Sequence, residues 1–300
     1  MTEILKVLKG TKDILPQEIN TWHKLESNAF DVFTRYGYKE IRTPIIEVTE
    51  LFARGVGDTT DIVNKEMYTF EKSERSITLR PENTAGVVRS FIENGMHKLS
   101  MPVKLWYKGP MFRYERPQAG RQRQFHQIGV ELFGIKDAQA DAEVILLAVD
   151  YLKSLGLNDL EIEINSLGCP KCRQEYKEKI KQVLKPEFEN LCHDCQTRFE
   201  KNPLRLLDCK VDSCRMIFEK PHIKEVLQSD FLCDECREHY GNLKTLLEAS
   251  NVKYSENRLL VRGLDYYNRT VFEIKSNNLG SQNAVCGGGR YDSLIKQLGG

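Results

Sequence analysis

Eight of the nine cysteines are confined to one stretch of the 300-residue chain, as Cys169/Cys172, Cys192/Cys195, Cys209/Cys214 and Cys233/Cys236. No other feature constrains the fold as strongly, because it divides the chain in three. Three of the pairs have C-x-x-C spacing, and two such pairs suffice for a tetrahedral zinc site, so one or two structural Zn²⁺ ions are expected, with free thiols as the alternative. A chain of this size buries roughly 75% of its unfolded surface and needs no disulfides for stability. The odd thiols are therefore read as ligands or free groups in a reducing compartment. Cys286 stands apart.

On either side of this stretch the periodicity changes. Pro16 suits the first turn of a helix, Trp22, Leu25, Ala29 and Phe33 recur at helical spacing, and Gly37 stops the run. Residues 38–47, around Pro44, read as an edge strand. Strands are expected at 103–109 and 124–134. In the second, His126, Ile128, Val130 and Leu132 share one face and Gln127, Gly129, Glu131 and Phe133 the other, a polar face across a glycine gap that suits a site floor. A helical stripe from Ala142 to Leu152 ends at Gly156, and Leu160, Ile162 and Ile164 alternate as a strand. Helical, charged sequence runs from Cys169 to about Lys253. Strand-like segments then return at 258–262, 270–275 and 283–286. The expected architecture is α+β, with residues 1–168 and 254–300 forming one domain interrupted by a helical, cysteine-rich insertion at 169–253.

Net charge is +1, so the total says nothing about nucleic acid. No apolar run reaches the roughly 18 residues of a membrane span. The first sixteen residues lack the charged-then-apolar pattern of a secretory leader. A cytoplasmic protein without membrane partners is expected.

Four segments carry candidate chemistry. Between Lys104 and His126, six basic residues (Lys104, Lys108, Arg113, Arg116, Arg121, Arg123) stand against Glu115 alone. The stretch FRYERPQAGRQRQF joins two strands, so a long hairpin loop is expected. Arginine forks bind phosphate bidentately, whereas the bland reading is a solvated loop. In LVRGLDYYNRTVFE, Arg262 ends an apolar segment beside Tyr266 and Tyr267 and suits an anionic centre, or a surface turn with packed tyrosines. AVCGGGRYD offers three glycines for close approach or a bend, without a nucleotide-loop pattern. In TLRPENTAG, Glu82 and Thr84 suit an ammonium group or a helix cap.

Taken in this order, the segments resemble the class II aminoacyl-tRNA synthetases, and specifically the histidyl-tRNA synthetases. Gly37-Tyr38 with Arg42-Thr43-Pro44 looks like the class's dimer-forming first motif. Phe112-Arg113-Tyr114-Glu115 with the loop to Gln127 looks like its second. LVRGLDYY and AVCGGGRYD are similar to the two motifs peculiar to the histidine enzymes, and KGTKDILP and NPLRLLDCK look typical of them. The resemblance covers the whole chain. It implies an antiparallel six-stranded sheet flanked by helices, a homodimer, and ATP with Mg²⁺, L-histidine and tRNA(His) as cofactor and partners. It also implies a third motif and an anticodon-binding domain beyond Gly300, so that a truncated chain is expected.

The resemblance further implies a two-step reaction, in which histidine and ATP form histidyl-adenylate and the tRNA terminal hydroxyl then takes the histidyl group. Arg113 and Arg262 would act on opposite sides of the α-phosphate as the catalytic residues, Arg262 where related enzymes place a metal ion. Arg113, Glu115 and Arg121 would hold ATP. Glu82 and Thr84, with the intervening Asn83, would form the ammonium subsite, assisted by Gln127. Glu131 and Tyr267 would bind the imidazole nitrogens, with Tyr266 lining the pocket. The rival reading is a non-catalytic relative: a regulatory subunit of histidine biosynthesis or a tRNA sensor. The presence of both Arg113 and Arg262 favours descent from a catalyst. A plain zinc-dependent RNA-binding module would explain the cysteines but not Glu82, Gln127, Glu131 or Arg262.

Overall fold

Pro16 opens α1 (Pro16–Arg35), and Gly37 closes it at φ 83°. The Tyr38 N–H donates to the Phe33 carbonyl at 2.9 Å, the wrap-back that a left-handed glycine permits. The computed structural model describes residues 4–58, 60–118, 120–276 and 283–300, so the first three of the sixteen residues read as lacking a leader pattern lie outside it. The further elements are β1 (Lys39–Glu40), β2 (Ile46–Val48), α2 (Thr49–Val56), β3 (Tyr68–Lys72), β4 (Arg75–Leu79), α3 (Thr84–Glu93), β5 (Val103–Phe112), β6 (Gln124–Phe133), α4 (Ala138–Ser154) and β7 (Leu160–Ser166). Five helices follow: α5 (Pro170–Leu184), α6 (His193–Lys201), α7 (Asp212–Phe218), α8 (Pro221–Leu227) and α9 (Asp234–Ala249). The chain ends with β8 (Ser255–Glu256), β9 (Asn268–Ser276), β10 (Ala284–Arg290) and α10 (Leu294–Gln297). No described helix is long and apolar enough to cross a membrane.

The fold is a mixed α+β arrangement with mostly antiparallel pairing. Among the described residues the strands form three hydrogen-bonded groups, β1-β5-β6, β2-β4-β3 and β10-β9-β7-β8, rather than one continuous six-stranded ladder. The hairpin β5-β6 pairs Tyr107 with Gly129 and Leu105 with Glu131. Its strict alternation separates two layers. Trp106, Ile128, Val130 and Leu132 pack on Ala29, Val32 and Phe33 of α1 and Leu147 of α4. On the opposite face Leu105, Tyr107, Met111 and Phe133 meet Val87, Val88 and Phe91 of α3. The apolar residues of α5–α9 are continuous with those of α4, β7 and β9.

Three expectations need correction. Residues 38–47 are not one strand: β1 pairs parallel with β5, β2 pairs with β4, and the chain between them forms no ladder. Pro44 supplies no N–H there, and the buried Arg80 guanidinium takes the Thr43 carbonyl at 3.0 Å instead. Residues 258–262 are not a strand either. The Asn257 side chain accepts from the Leu259 N–H at 3.0 Å, its carbonyl accepts from Leu260, and Asn165 donates to the Arg258 and Leu260 carbonyls. That side-chain turn replaces a ladder. The third concerns one of the two readings of Gly287, Gly288 and Gly289: they make no bend but lie in β10 opposite Glu273, Phe272 and Val271, where side chains approach the backbone closely.

Candidate active site

Glu131 projects from β6 into a closed cluster and is 4% exposed. Its carboxylate accepts from the Thr84 hydroxyl at 2.7 Å and from the Tyr291 hydroxyl. Burial pushes its pKa up to about 8, and the neighbouring Glu82 charge adds to the rise, while the two hydroxyls oppose it. Glu82 is also buried and pushed upward by burial. It accepts the backbone N–H groups of Thr84 at 2.8 Å and Ala85 at 3.0 Å, so it caps α3 as well as facing the cluster. Tyr266 donates to Glu82 at 3.3 Å. The Tyr266 and Tyr267 rings meet edge to face at 4.6 Å, and Tyr291 lies 5.8 Å from Tyr266. Two buried carboxyls ringed by hydroxyls hold protons readily and would give them up to a cation or strong donor that entered between them.

The floor depends on Gly129. A Cβ there would fall 2.5 Å from Cζ of Tyr107, whose buried ring lies across β6. Gln127 shares this face, opposite Gly109 and nearer Arg113. Asn83 is not brought into the cluster. Its Oδ1 accepts from Thr43 Oγ1 at 2.6 Å and from Arg80 at 3.4 Å, so it ties α3 to the segment after β1. Tyr107 and Tyr291 were missed by sequence reasoning. Glycine at 129 was the available signal for Tyr107, since register places it opposite.

Arg113 leaves the end of β5 and donates to the Pro81 carbonyl at 2.8 Å, with its guanidinium over the Phe125 ring. Its positive charge opposes the rise at Glu82. Arg121 donates to Glu115 at 3.0 Å. Arg113, Glu115 and Arg121 line a cleft of about 320 Å³ with Glu66, Arg205 and Gly263, so the residue after Arg262 shares a cavity with Arg113. The basic cluster read from sequence splits in space. Lys104 pairs with Glu143 at 2.7 Å and Lys108 with Glu26 on the α1/α4 side, because alternate β5 residues face opposite ways. Arg123 stacks on Tyr114 at 3.8 Å, and its backbone N–H donates to the Gly10 carbonyl at 2.7 Å. The loop is thereby pinned by the N-terminal segment rather than wholly solvated.

Arg262 lies near the tyrosines: burial raises the pKa of Tyr267, and the Arg262 charge opposes that rise. It pairs with Glu273. A Cβ on Gly287 would fall 2.6 Å from the Arg262 Cζ, and one on Gly289 would fall 2.9 Å from the Tyr267 ring. These glycines let Arg262 and Tyr267 lie against the strand backbone. Arg113 and Arg262 thus each act by charge on a member of the acid–tyrosine cluster, Arg113 on Glu82 and Arg262 on Tyr267.

The eight paired cysteines gather into two groups, Cys169/Cys172/Cys233/Cys236 and Cys192/Cys195/Cys209/Cys214, each with all sulfurs within 4.8 Å. Cys169, Cys192 and Cys233 each precede a helix, and Cys172, Cys195 and Cys236 lie in its first turn. Burial pushes the Cys172, Cys195 and Cys236 thiols up, whereas at Cys169 and Cys192 burial is outweighed by hydrogen bonds to the sulfur, which hold the thiol lower. Backbone N–H groups of Cys169, Cys192 and Cys233 donate to Sγ of Cys236, Cys214 and Cys172 at 3.1–3.2 Å. The Sγ–Sγ distances of 3.6 Å (Cys169–Cys172) and 3.9 Å (Cys192–Cys209) bracket the edge of about 3.8 Å expected for a tetrahedron with Zn–S bonds of about 2.3 Å. The donor sets therefore fit zinc.

A family model described as histidyl-tRNA synthetase matches residues 10–172. The histidine–tRNA ligase of Desulfitobacterium hafniense is 56% identical over 293 residues, covering 97% of this chain and 68% of that protein. The Thermosipho melanesiensis ligase is 55% identical over 296 residues, covering 98% and 69%. The solved apo histidyl-tRNA synthetase of S. aureus is 40% identical with a TM-score of 0.77, covering 99% of this chain and 69% of that one. A Bacillus halodurans C chain described as an ATP phosphoribosyltransferase regulatory subunit/histidyl-tRNA synthetase shares the fold at 24% identity and a TM-score of 0.70, covering 99% and 79%. With the family model spanning more than half its length and ligases at over half identity across nearly all of it, the chain belongs to the histidyl-tRNA synthetase family of aminoacyl-tRNA ligases.

Proposed function

We propose that residues 1–168 and 254–300 bind ATP and L-histidine, form histidyl-adenylate and pass the histidyl group to tRNA(His), with 169–253 as an inserted structural unit. The observation that carries this reading is the buried Glu82–Glu131 pair, sharing Thr84 and ringed by tyrosines, with Arg113 acting by charge on Glu82 and Arg262 on Tyr267. Imidazole differs from phenyl and alkyl groups by two polar nitrogens. Glu131 and Tyr267 would each take one, and a slot built to bond both discriminates by about 10⁴ or more, because other side chains leave its own groups unpaired. Glu82 and Thr84 would hold the ammonium, with Gln127 assisting and Tyr266 packing alongside. Asn83 would brace α3 from behind.

ATP would enter the cleft as its Mg²⁺ complex, held by Arg113, Glu115 and Arg121. Arg113 would contact the α-phosphate and the histidine carboxylate, and Arg262 the opposite phosphate edge. A fixed guanidinium stabilises the growing charge without reorganisation. Attack of the carboxylate on the α-phosphorus expels pyrophosphate, and the tRNA hydroxyl then attacks the adenylate carbonyl, forming the ester and releasing AMP. A structural Zn²⁺ in each four-cysteine group would staple the insertion, and elemental analysis should find two equivalents per chain. A homodimer is proposed through the exposed Ile45, Ile46 and Val48 beside the first-motif segment, and a cytoplasmic location is proposed with it.

The regulatory reading has less behind it, since the regulatory-type likeness is fold-level only and both arginines are present. ATP–pyrophosphate exchange with each of the common amino acids tests the assignment. A response to histidine alone is expected; response to another amino acid, or none, would remove it.

A further inference from the structure

The segment from Arg262 to Tyr267 carries the central residues of the site yet belongs to no strand or helix. Three side chains of the insertion grip it from outside. Arg205 donates to the Arg262 carbonyl at 2.8 Å, Asn202 to the Asp265 carboxylate at 3.0 Å, and Arg173 to the Tyr267 carbonyl at 2.9 Å. Arg205 and Asn202 are each 6% exposed. Both lie on the chain between Cys195 and Cys209, two thiols of one four-cysteine group, and Arg173 directly follows Cys172 of the other. The grip is braced from behind. Arg198 of α6 donates to the Arg205 carbonyl at 3.4 Å and pairs with Asp61 at 2.8 Å. The Cys192–Cys214 group also forms part of the cleft wall that Arg113 and Gly263 share.

We infer that the two four-cysteine sites, when metal-filled, form a clamp that positions Arg262 and Tyr267 through Arg205, Asn202 and Arg173. The stretch between Cys195 and Cys209 holds only a short helix and a tight turn, which have little stability alone. A tetrahedral metal fixes both ends of that stretch and so fixes Arg205 and Asn202 against the segment they hold. These are positioning residues: Arg205 and Arg173 hold the backbone carbonyls of Arg262 and Tyr267 and Asn202 holds Asp265, although Arg205 also lines the cleft, so protection of the segment rather than activity is the deciding readout. The inference rests on the proposed role of Arg262 in adenylate formation.

Hydrogen exchange of peptides covering 262–267 tests it directly, read together with metal content and with kcat and KM for histidine-dependent pyrophosphate exchange. Arg205→Met should retain both zinc equivalents while the segment exchanges about tenfold faster or more. Its kcat should fall by roughly ten- to a hundredfold, with a smaller rise in KM. Cys209→Ser should lose one zinc equivalent and loosen the same peptides. Asn202→Ala, a smaller deletion, carries the test should Arg205→Met fail to fold. Unchanged protection of 262–267 in Arg205→Met and in zinc-depleted Cys209→Ser would overturn the clamp. Loosened protection in a protein whose wild type shows no histidine-dependent exchange would leave the clamp standing and defeat the proposed reaction instead.

Discussion

A carboxyl sunk among tyrosines is the residue on which the proposed recognition turns. Glu131 has an ordinary value of 4.5, and burial pushes it up to about 8. Between those values the folded protein keeps a proton that the unfolded chain has released. The sign is therefore fixed: stability of the ligand-free protein falls as pH rises across that window, by on the order of 1.4 kcal/mol per unit where the difference is complete. Glu82, raised in the same direction, adds to the slope. Urea unfolding at pH 5.5 and 8 should show the loss, and Glu131→Gln should shrink it. The same variant should lower histidine-dependent exchange by about 10³-fold, because the imidazole donor then meets an amide in place of a carboxylate. Gly287→Ala probes the other side. Its methyl would fall 2.6 Å from the Arg262 Cζ, so kcat should drop roughly a hundredfold while the circular dichroism spectrum stays that of the wild type. Glu131 was legible in sequence because a period of two around a glycine marks a polar floor. Tyr291, its hydroxyl partner, was not, because that contact spans 160 positions and nothing local signals it.

At the level of elements, β6, α1 and α4 follow from periodicity and glycine stops, and the two faces of β6 were readable from alternation, whereas β5 runs past the expected end at Gly109 to Phe112. Residues 258–262 defeated the same reasoning. Their apolar run suits a strand, but Asn257 and Asn165 satisfy the backbone from side chains. The cysteine spacing likewise marked ligand pairs without saying which pairs join, since that is decided by how α5 returns to α9 and α6 to α7. Those joints give an element-scale prediction. Chelation of both metals should remove much of the α5–α9 helical signal and lower Tm by about 10 °C or more, because structural metal binding is folding energy. Calorimetry with and without chelator measures it, and an unchanged Tm in metal-free protein would contradict the staple.

For the whole molecule, the chain folds back so that residues far apart in sequence meet: the turn before α3 and strand β6 supply the acids, Tyr266 and Tyr291 bond to them, and the charges of Arg113 and Arg262 act on Glu82 and Tyr267 respectively. Composition and net charge gave no hint of this convergence, because the cationic groups it uses are offset by acids elsewhere on the surface. The order of the motifs along the chain is what suggested Arg113 and Arg262 for one reaction, through the resemblance rather than through charge. A crystal structure with a non-hydrolysable histidyl-adenylate analogue tests the account most directly. The predicted result has the analogue's phosphate-equivalent group between the Arg113 and Arg262 guanidiniums, with its imidazole nitrogens on Glu131 and Tyr267. An imidazole bound away from Glu131, or a phosphate-equivalent group touched by only one of the two arginines, would contradict it.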